Sequence, residues 1–426
     1  MKRIKMSETI ETVTLPVLQQ KTLKEMYAFA KHYKIPYYGQ MNKKELALAI
    51  MRAQEEATGF FQVEGVLDIN NAEGYGFLRP INYSTSQEDI YISSSQIRKF
   101  ALRNGDLVAG PARPPRTGEK FNGLMQVGSV NGKDPEEAKE RDHFPGLTPL
   151  YPEKQMHLET TTGRIASRML DLICPIGFGQ RGLIVAPPKA GKTSLLKEIA
   201  NGITTNYPEA ELIILLIDER PEEVTDIERT VEAEVVFSTF DQTPEHHIKV
   251  SELVLERALR LVEDGRDVIV LLDSITRLAR AYNLTIPPSG RTLSGGIDPA
   301  AFYRPKRFFG SARNIEDGGS LTILATALIE TGSRMDDVIY EEFKGTGNAE
   351  VHLSRELAER RVFPAIDVKR SGTRKEEILL EPHVLEAVWK VRNTMKGDGL
   401  ETSEQMVKQL RETKSNKDFI KRIELL

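Results

Sequence analysis

Residues 183–193, LIVAPPKAGKT, carry an aliphatic run directly into a proline-rich turn that closes on Gly191-Lys192-Thr193. This order constrains the fold more than any other stretch of the chain. It asks for a buried strand, a turn with free backbone N–H groups and a helix beginning at that turn, the arrangement that binds phosphate at a helix N-terminus. The following KTSLLKEIANGI has the apolar spacing of such a helix. Residues 186–193, APPKAGKT, fit the G-x-x-x-x-G-K-[ST] pattern with Ala186 in place of the first glycine. The mechanism survives that departure. Gly191 lets N–H groups approach phosphate, Lys192 can reach the β- and γ-phosphates, and Thr193 can ligand Mg²⁺.

The surroundings supply what the turn requires. GLIVAPP, ELIILLIDE, DVIVLLDS and SLTILATAL are apolar runs too short to cross a bilayer, each bounded by turns or charges, as buried parallel strands are. Helical stretches lie between them, so from about residue 161 the spacing predicts an α/β unit with ligands at the carboxyl ends of its strands. One of these runs ends in Asp273, placed to join a magnesium shell, and another in Asp218-Glu219-Arg220, placed to polarise an attacking water. Three such endings at one sheet edge read as one site.

The 426-residue length implies two or three domains. Residues 1–58 read as an N-terminal helical unit, because Thr22 to Ala57 has helical spacing broken at KIPYYGQMN. Residues 59–133 change to short alternating strands, FQVEGVLDI, GYGFLRP, DIYIS, DLVAGPARPP and LMQVGSV, the signature of a small barrel of the oligonucleotide-binding type. Residues 134–160, charged and proline-rich, read as linker, and 161–426 as the α/β unit. In GYGFLRP, Tyr75 and Phe77 share one strand face beside Arg79, an arrangement able to stack successive bases. Asp89 and Tyr91 in EDIYIS and Glu119 and Phe121 in GEKF extend that face. Arg98, Lys99, Arg103, Arg113, Arg116 and Lys120, against Asp106 and Glu119, add local basic charge to a chain whose net charge is −4. A lone Cys174 offers neither a disulfide nor a cysteine zinc site. The first twenty residues lack an apolar signal core, so a cytoplasmic location is expected, without a membrane partner. His246 and His247 have no third ligand at metal spacing and are expected to be structural.

Taken together, GLIVAPPKAGKTSLLKEIA, LLIDERPEEVTDIER, LLDSITRLARAYN, RPKRFFGSARN and YEEFKGTGNAEVHLSRELAERRVFPAIDVKRSGTRKEE resemble the Rho family of bacterial transcription termination factors, over nearly the whole chain after Gly59. That family also has alanine at the position of Ala186. The resemblance implies a RecA-like P-loop ATPase domain preceded by a small helical unit and an OB-fold, cold-shock-like β-barrel. It implies a homohexamer that binds nascent, pyrimidine-rich single-stranded RNA, hydrolyses ATP with Mg²⁺, translocates 5′ to 3′, unwinds RNA–DNA hybrids and releases transcripts from RNA polymerase alongside elongation factors. Position by position it makes Lys192 the P-loop lysine, Thr193 and Asp273 the metal ligands, Glu219 the catalytic base, Arg220 a nucleotide sensor and Arg374, with Arg361 second, a finger delivered to a neighbouring subunit. Lys189, Ala190, Gly191 and Ser194 fall within the ATP-binding turn. Gly177, Phe178, Gly179, Gln180, Arg181 and Gly182 resemble a segment lining the nucleotide pocket, and Phe363 the aromatic that stacks on adenine. The primary RNA site implied comprises Gly74, Tyr75, Gly76, Phe77, Leu78, Arg79, Asp89, Ile90, Tyr91, Glu119, Lys120 and Phe121. Two glycine-flanked loops imply a secondary RNA site, with Arg291 and Thr292 in one and Thr331, Gly332 and Arg334 in the other.

Two rival classes share parts of this pattern. Rotary ATP synthase subunits combine the same fold with a barrel and a GQRG-like sequence, but a base-stacking GYGF face has no use in a rotary machine. A non-enzymatic RNA-binding protein with a decayed ATP site would not keep Lys192, Thr193, Glu219, Asp273 and Arg374 together.

Overall fold

The computed structural model describes residues 13–160, 164–394 and 399–425. It divides into two compact units, Met1–Arg141 and Asp142–Leu426. Among the described residues, no helix is long and apolar enough to cross a membrane.

The first unit begins with three helices. Thr22 starts Leu23–His32 with a reciprocal cap, its hydroxyl accepting the Glu25 N–H while the Glu25 carboxylate accepts the Thr22 N–H. Asn42 and Glu45 repeat that exchange at the start of Lys43–Thr58. Leu18, Met26, Ala30, Leu46 and Ile50 close a small core between them. Helix Leu15–Gln20, which contributes Leu18, precedes the stretch that the apolar spacing marked out.

The barrel follows. Strands Phe61–Ile69, Gly76–Arg79, Ile90–Ile92, Asn122–Leu124 and Leu107–Arg113 neighbour one another in that order, and the last pairs back to the first, so the sheet closes. Closure removes the exposed edges that a small sheet would otherwise present. The expected final strand LMQVGSV is interrupted and survives only as Asn122–Leu124 and Ser129–Val130. The backbone of Gln126 crosses directly over Gly110, where a Cβ would lie 2.1 Å from the Gln126 carbonyl oxygen. The chain therefore bulges there, and the Met125 and Gly128 N–H groups on either side of Gln126 still donate to the Pro111 and Ala109 carbonyls of the neighbouring strand.

In the second unit six parallel strands run in the order Glu234–Thr239, Glu211–Glu219, Asp267–Asp273, Ser320–Leu328, Arg181–Ala186 and Ala349–His352, with Gly372–Thr373 antiparallel at the far edge. Helices cover the sheet, as the apolar runs require. Two strands escape the sequence pattern for identifiable reasons. Glu234–Thr239 lies at an edge and alternates in burial, while Ala349–His352 is short and carries Glu350 and His352.

The expected linker is in large part packed structure. Pro149–Leu150 pairs with Arg313–Ile315, and Met156 and Leu158 are fully buried in the core of the second unit. The Asp171 carboxylate accepts the backbone N–H groups of Leu158 and Glu159, fastening this stretch to helix Ile165–Ile173. Charge and proline content mark a non-helical path but do not report what that path packs against.

Arg168, from the same helix, is fully buried. Its guanidinium donates to the carbonyls of Leu410 and Thr413 at 2.7 and 2.9 Å and to the side chains of Thr413 and Asn416. It thus joins the turn between helices Gly399–Arg411 and Asn416–Glu424 to the core. Arg168→Met keeps the apolar stem but removes the fully buried guanidinium and its bonds to the Leu410 and Thr413 carbonyls and the Thr413 and Asn416 side chains, so stability should fall by about 3–5 kcal/mol. Urea denaturation of the intact protein measures it, and a loss within about 0.5 kcal/mol would contradict this role.

Candidate functional site

Strand Arg181–Ala186 ends at the turn, and helix Lys192–Asn206 begins immediately after it. Lys189 and Gly191 take left-handed backbone angles, φ 65° and 94°, which fold the turn back over the helix start. The strands ending in Glu219 and Asp273 finish at this same edge, because Asp273 lies opposite Leu216 and Leu328 opposite Ala186. The carboxylates and the lysine therefore converge. Lys192 Nζ donates to Glu219 Oε1 at 2.8 Å and to Asp273 Oδ1 at 2.6 Å, and Thr326 Oγ1 donates to the same Asp273 oxygen at 2.7 Å.

Both acids are buried, at 4% and 1% exposure, so each needs the counter-charge that the Lys192 ammonium supplies. Burial alone would lower the Lys192 pKa, but the attraction of Asp273 and Glu219 outweighs it and holds the ammonium above its ordinary value. Burial, then repulsion by Asp273, raises the Glu219 carboxyl above its ordinary value, with Lys192 opposing. A carboxyl raised in this way is a stronger base than an exposed glutamate. Arg277, on helix Ile275–Thr285, completes the cluster. Its Nη1 donates to Asp218 at 2.6 Å, and its Nε lies 3.6 Å from Glu219 Oε1.

A cavity of about 490 Å³ opens beside the turn, lined by Ala190, Gly191, Ser194, Leu195, Phe363 and Arg411 among others. Phe363 is 41% exposed, and its ring lies 4.0 Å from where a Cβ on Gly191 would be. The cavity thus continues the phosphate-binding turn into a half-open slot with an aromatic wall, shaped for a planar base. The Thr193 hydroxyl donates to Glu223 at 3.3 Å. Arg220 is exposed at the start of helix Pro221–Thr230.

Gly177–Gly182 does not line this cavity within the chain. That segment leads into strand Arg181–Ala186 from the end opposite Gly191. Phe178 is buried against Tyr207, Gln180 donates to Asn348, and a Cβ on Gly179 would lie 2.2 Å from the Asn314 nitrogen. Arg374 lies at this same opposite end, because Thr373 faces Ala349 and Ala349 faces Gly182. Arg181, Arg313 and Arg374 gather there closely enough that, after burial, mutual repulsion lowers the Arg181 pKa. Arg361 and Arg374 are both exposed.

Two loops meet on the second unit. Arg291 and Thr292 are exposed in the segment that Ser289 closes by hydrogen bonds to Asp298, at 2.7 Å from its N–H and 2.8 Å from its hydroxyl. Thr331, Gly332 and Arg334 are exposed at the start of helix Arg334–Lys344, with Thr331 donating to Asp336. Gly295 of the first loop packs against the second so closely that a Cβ would lie 2.6 Å from the Met335 nitrogen. Arg280 also binds Asp336, through two hydrogen bonds of 2.8 and 2.6 Å. Helix Ile275–Thr285 therefore reaches the Asp218–Glu219 strand end through Arg277 and, one turn later, the Thr331 loop through Arg280.

On the barrel of the first unit, Phe77 and Tyr91 are cross-strand neighbours. With Tyr75 and Phe121 they form one aromatic face, ring centroids 4.9–6.1 Å apart. Gly74 and Gly76 allow the turn and the tight strand crossing beneath it, a Cβ on Gly76 falling 2.9 Å from Leu67. Leu78 and Ile90 point the other way, into the barrel core. Arg79 and Asp89 are buried as well. Arg79 pairs with Asp68 and Asp89 and stands 5.1 Å from the Phe77 ring centroid, so it supports the aromatic face from below. Glu119 is held by Arg113 at 2.7 Å, which lowers its carboxyl to about 2. Lys120 is exposed.

Comparison with known proteins agrees with this layout. Residues 17–59 match the family "Rho termination factor, N-terminal domain", 63–136 "Rho termination factor, RNA-binding domain" and 166–373 "ATP synthase alpha/beta family, nucleotide-binding domain". The chain is 66% identical to transcription termination factor Rho of Bacillus subtilis over 410 residues, covering 96% of each protein. It is 53% identical to that of Thermotoga maritima, covering 98% of this chain and 99% of the relative. An ATPase of a bacterial type III secretion system superposes with a TM-score of 0.54 at 23% identity, covering 66% of this chain and 86% of that one, and so shares the fold alone. With the nucleotide-binding edge, the aromatic barrel face and these relatives in agreement, the chain belongs to the Rho family of transcription termination factors, RNA-binding proteins that depend on ATP.

Proposed function

We propose that the chain works as a ring-shaped motor, a homohexamer in the bacterial cytoplasm that hydrolyses ATP to translocate 5′ to 3′ along pyrimidine-rich single-stranded RNA. In this reading it unwinds RNA–DNA hybrids and frees transcripts from RNA polymerase, together with elongation factors. The observation that carries it is the separation of charges across one sheet. Lys192, Glu219 and Asp273 meet at the carboxyl end, whereas Arg181, Arg313 and Arg374 gather at the other. The arginines cannot reach the phosphates bound by their own chain, but a neighbour packed head to tail brings them to its own. A finger supplied that way makes hydrolysis depend on assembly.

At the nucleotide edge, Lys192 leaves Glu219 and Asp273 for the phosphates of ATP. Glu219, relieved of its partner, takes a proton from the water that attacks the γ-phosphorus as the bond to the leaving ADP oxygen breaks. Lys189, Ala190, Gly191 and Ser194 line the turn, Phe363 walls the base, and Arg220 stands exposed beside the strand end. Mg²⁺ suits hard oxygen donors and keeps much of its water shell, so the Thr193 hydroxyl and Asp273 carboxylate would hold it without a dedicated cage of acids. It would supply charge neutralisation on the phosphates. Arg374, with Arg361 second, would act on the neighbour's nucleotide. The Gly177–Gly182 segment, at the arginine end, would belong to that same interface.

RNA binding is assigned to two places. Tyr75, Phe77, Tyr91 and Phe121 stack bases, with Lys120 alongside and Gly74 and Gly76 shaping the turn and strand that carry the rings. Leu78, Arg79, Asp89 and Ile90 shape that face from behind, while the exposed Glu119 holds Arg113 and Arg116 beside it. Arg291, Thr292, Thr331, Gly332 and Arg334 would hold the phosphates of the translocating strand. The Arg277 and Arg280 contacts of one helix supply a mechanical link from those loops to Glu219.

Three outcomes are expected. Poly(C) should strongly stimulate ATP hydrolysis by the purified protein, and Lys192→Ala should lower the stimulated rate by about a hundredfold or more; hydrolysis indifferent to RNA would contradict the motor reading. The double variant Tyr75→Ala/Phe77→Ala should weaken oligo(C) binding at least about tenfold in a filter-binding assay, since each lost stack costs about 1–3 kcal/mol; unchanged affinity would remove the barrel face from the RNA site. Because the Glu219 carboxyl is raised above its ordinary 4.5, protonation as pH falls should remove the base earlier than for an exposed glutamate. The kcat profile between about pH 8 and pH 5 should therefore show an acid limb, and a kcat that holds down to pH 4.5 would contradict Glu219 as the base.

A further inference from the structure

The strand that carries Glu219 is held unevenly. Its pairing with Asp267–Asp273 ends at Leu216, so Ile217–Glu219 are paired only to the edge strand Glu234–Thr239. Along that pair the register runs residue for residue up to Ser238 opposite Ile217 and then skips, with Thr239 opposite Glu219. The skipped residue is Asp218, whose φ of 58° is left-handed. Such a bulge re-aims the side chains around it. Here it turns two consecutive carboxylates onto one site, Asp218 toward Arg277 and Glu219 toward Lys192. The direction of Glu219 is therefore set by where the end of the edge strand lies.

One buried hydroxyl ties that end to the following helix. Ser238, 1% exposed, has its Oγ 2.6 Å from His246 Nδ1 and 2.7 Å from His247 Nδ1. Both histidines lie in the first turn of helix Pro244–Glu263, which Thr243 caps. A serine hydroxyl has one proton to donate, so one imidazole accepts it at Nδ1 and the other donates its own Nδ1–H to the same oxygen. The two rings hold opposite tautomers, and the strand end is locked to the helix from both sides. Burial lowers the pKa of each ring, favouring the neutral imidazole over the imidazolium. Lys249 and Asp241 face His246 with opposing effects, and Asp218, His246, Arg277 and Asp241 face His247.

We propose that Ser238, held between His246 and His247, is a positioning residue for ATP hydrolysis, fixing the Asp218 bulge and through it the aim of Glu219. The inference rests on the reading of Glu219 as the base. None of the three side chains contacts the phosphate-binding turn, so loss of the clamp acts on the hydrolytic step and not on nucleotide binding.

The experiment is steady-state, RNA-stimulated hydrolysis by the full chain carrying Ser238→Ala, His247→Leu, His247→Asn or Glu219→Gln, with thermal melting of each. Ser238→Ala and His247→Leu should lower kcat about tenfold to a hundredfold, the cost of a displaced catalytic group, while KM for ATP stays within about twofold. His247→Asn, whose side-chain amide reaches the place of Nδ1, should recover most of that kcat. A merely structural role would lower the melting temperature without this split and without rescue. Wild-type kcat in Ser238→Ala and His247→Leu, or a His247→Asn protein as impaired as His247→Leu, overturns the inference while Glu219→Gln remains inactive. An active Glu219→Gln protein removes the base assignment itself, and the inference with it.

Discussion

One ammonium group between two buried carboxylates organises the second unit. Lys192 draws the ends of two strands to the first turn of a helix, and with it in place Glu219 and Asp273 can share a nearly dry pocket. Without it, two like charges would face each other in a medium that screens them poorly, a loss of several kcal/mol for an uncompensated buried ion. The same contact stores the chemistry. A polyphosphate offers the lysine a better partner, and its departure leaves Glu219 with less reason to stay ionised and more reason to take a proton from water. Thr326 keeps one hydrogen bond on Asp273 throughout, so that acid does not lose all its support when the lysine moves.

The parallel sheet explains why, in the proposed mechanism, such a site is only half a catalyst. All the strand ends that converge on phosphate lie at one edge, as the fold demands. Arg374 follows a short antiparallel strand whose register carries it to the other edge, beside Arg181 and Arg313. In the proposed ring these three guanidiniums, which repel one another within one chain, would meet a neighbour's anion. The loops proposed to face RNA join the same logic through Arg277 and Arg280, which grip the Asp218–Glu219 strand end and the Thr331 loop from successive turns of one helix.

Much of this was legible in the residues. The strand–turn–helix around Lys192, the strand-end acids Asp273 and Glu219, and the period-two aromatics Tyr75 and Phe77 follow from apolar runs and spacing alone. What stayed hidden has a common cause, since periodicity reports which face a residue takes but neither register nor partner. The bulge at Asp218 looks like any strand end, and adjacent His246 and His247 look inert until Ser238 stands between them. Arg79 and Asp89 read as ligands for RNA because they sit among aromatics, yet their charges satisfy each other beneath those rings. The Gly177–Gly182 segment adjoins the nucleotide strand in sequence but enters it from the far end. The charged stretch before residue 160 hides Met156 and Leu158, two isolated apolar residues that the core absorbs.

The central claim is that each nucleotide site takes its charge-stabilising arginine from another copy of the chain. Mixed rings of Lys192→Ala and Arg374→Ala subunits, isolated through two different tags, test it most directly. Each variant alone should be inactive, one for want of its phosphate-binding lysine and the other for want of its finger. In mixed rings, an Arg374→Ala subunit beside a Lys192→Ala neighbour regains a complete site, and random mixing completes about a quarter of the interfaces. RNA-stimulated hydrolysis well above that of either homogeneous protein is the predicted result. Mixed rings as inactive as their components would contradict the account and return Arg374 to its own chain.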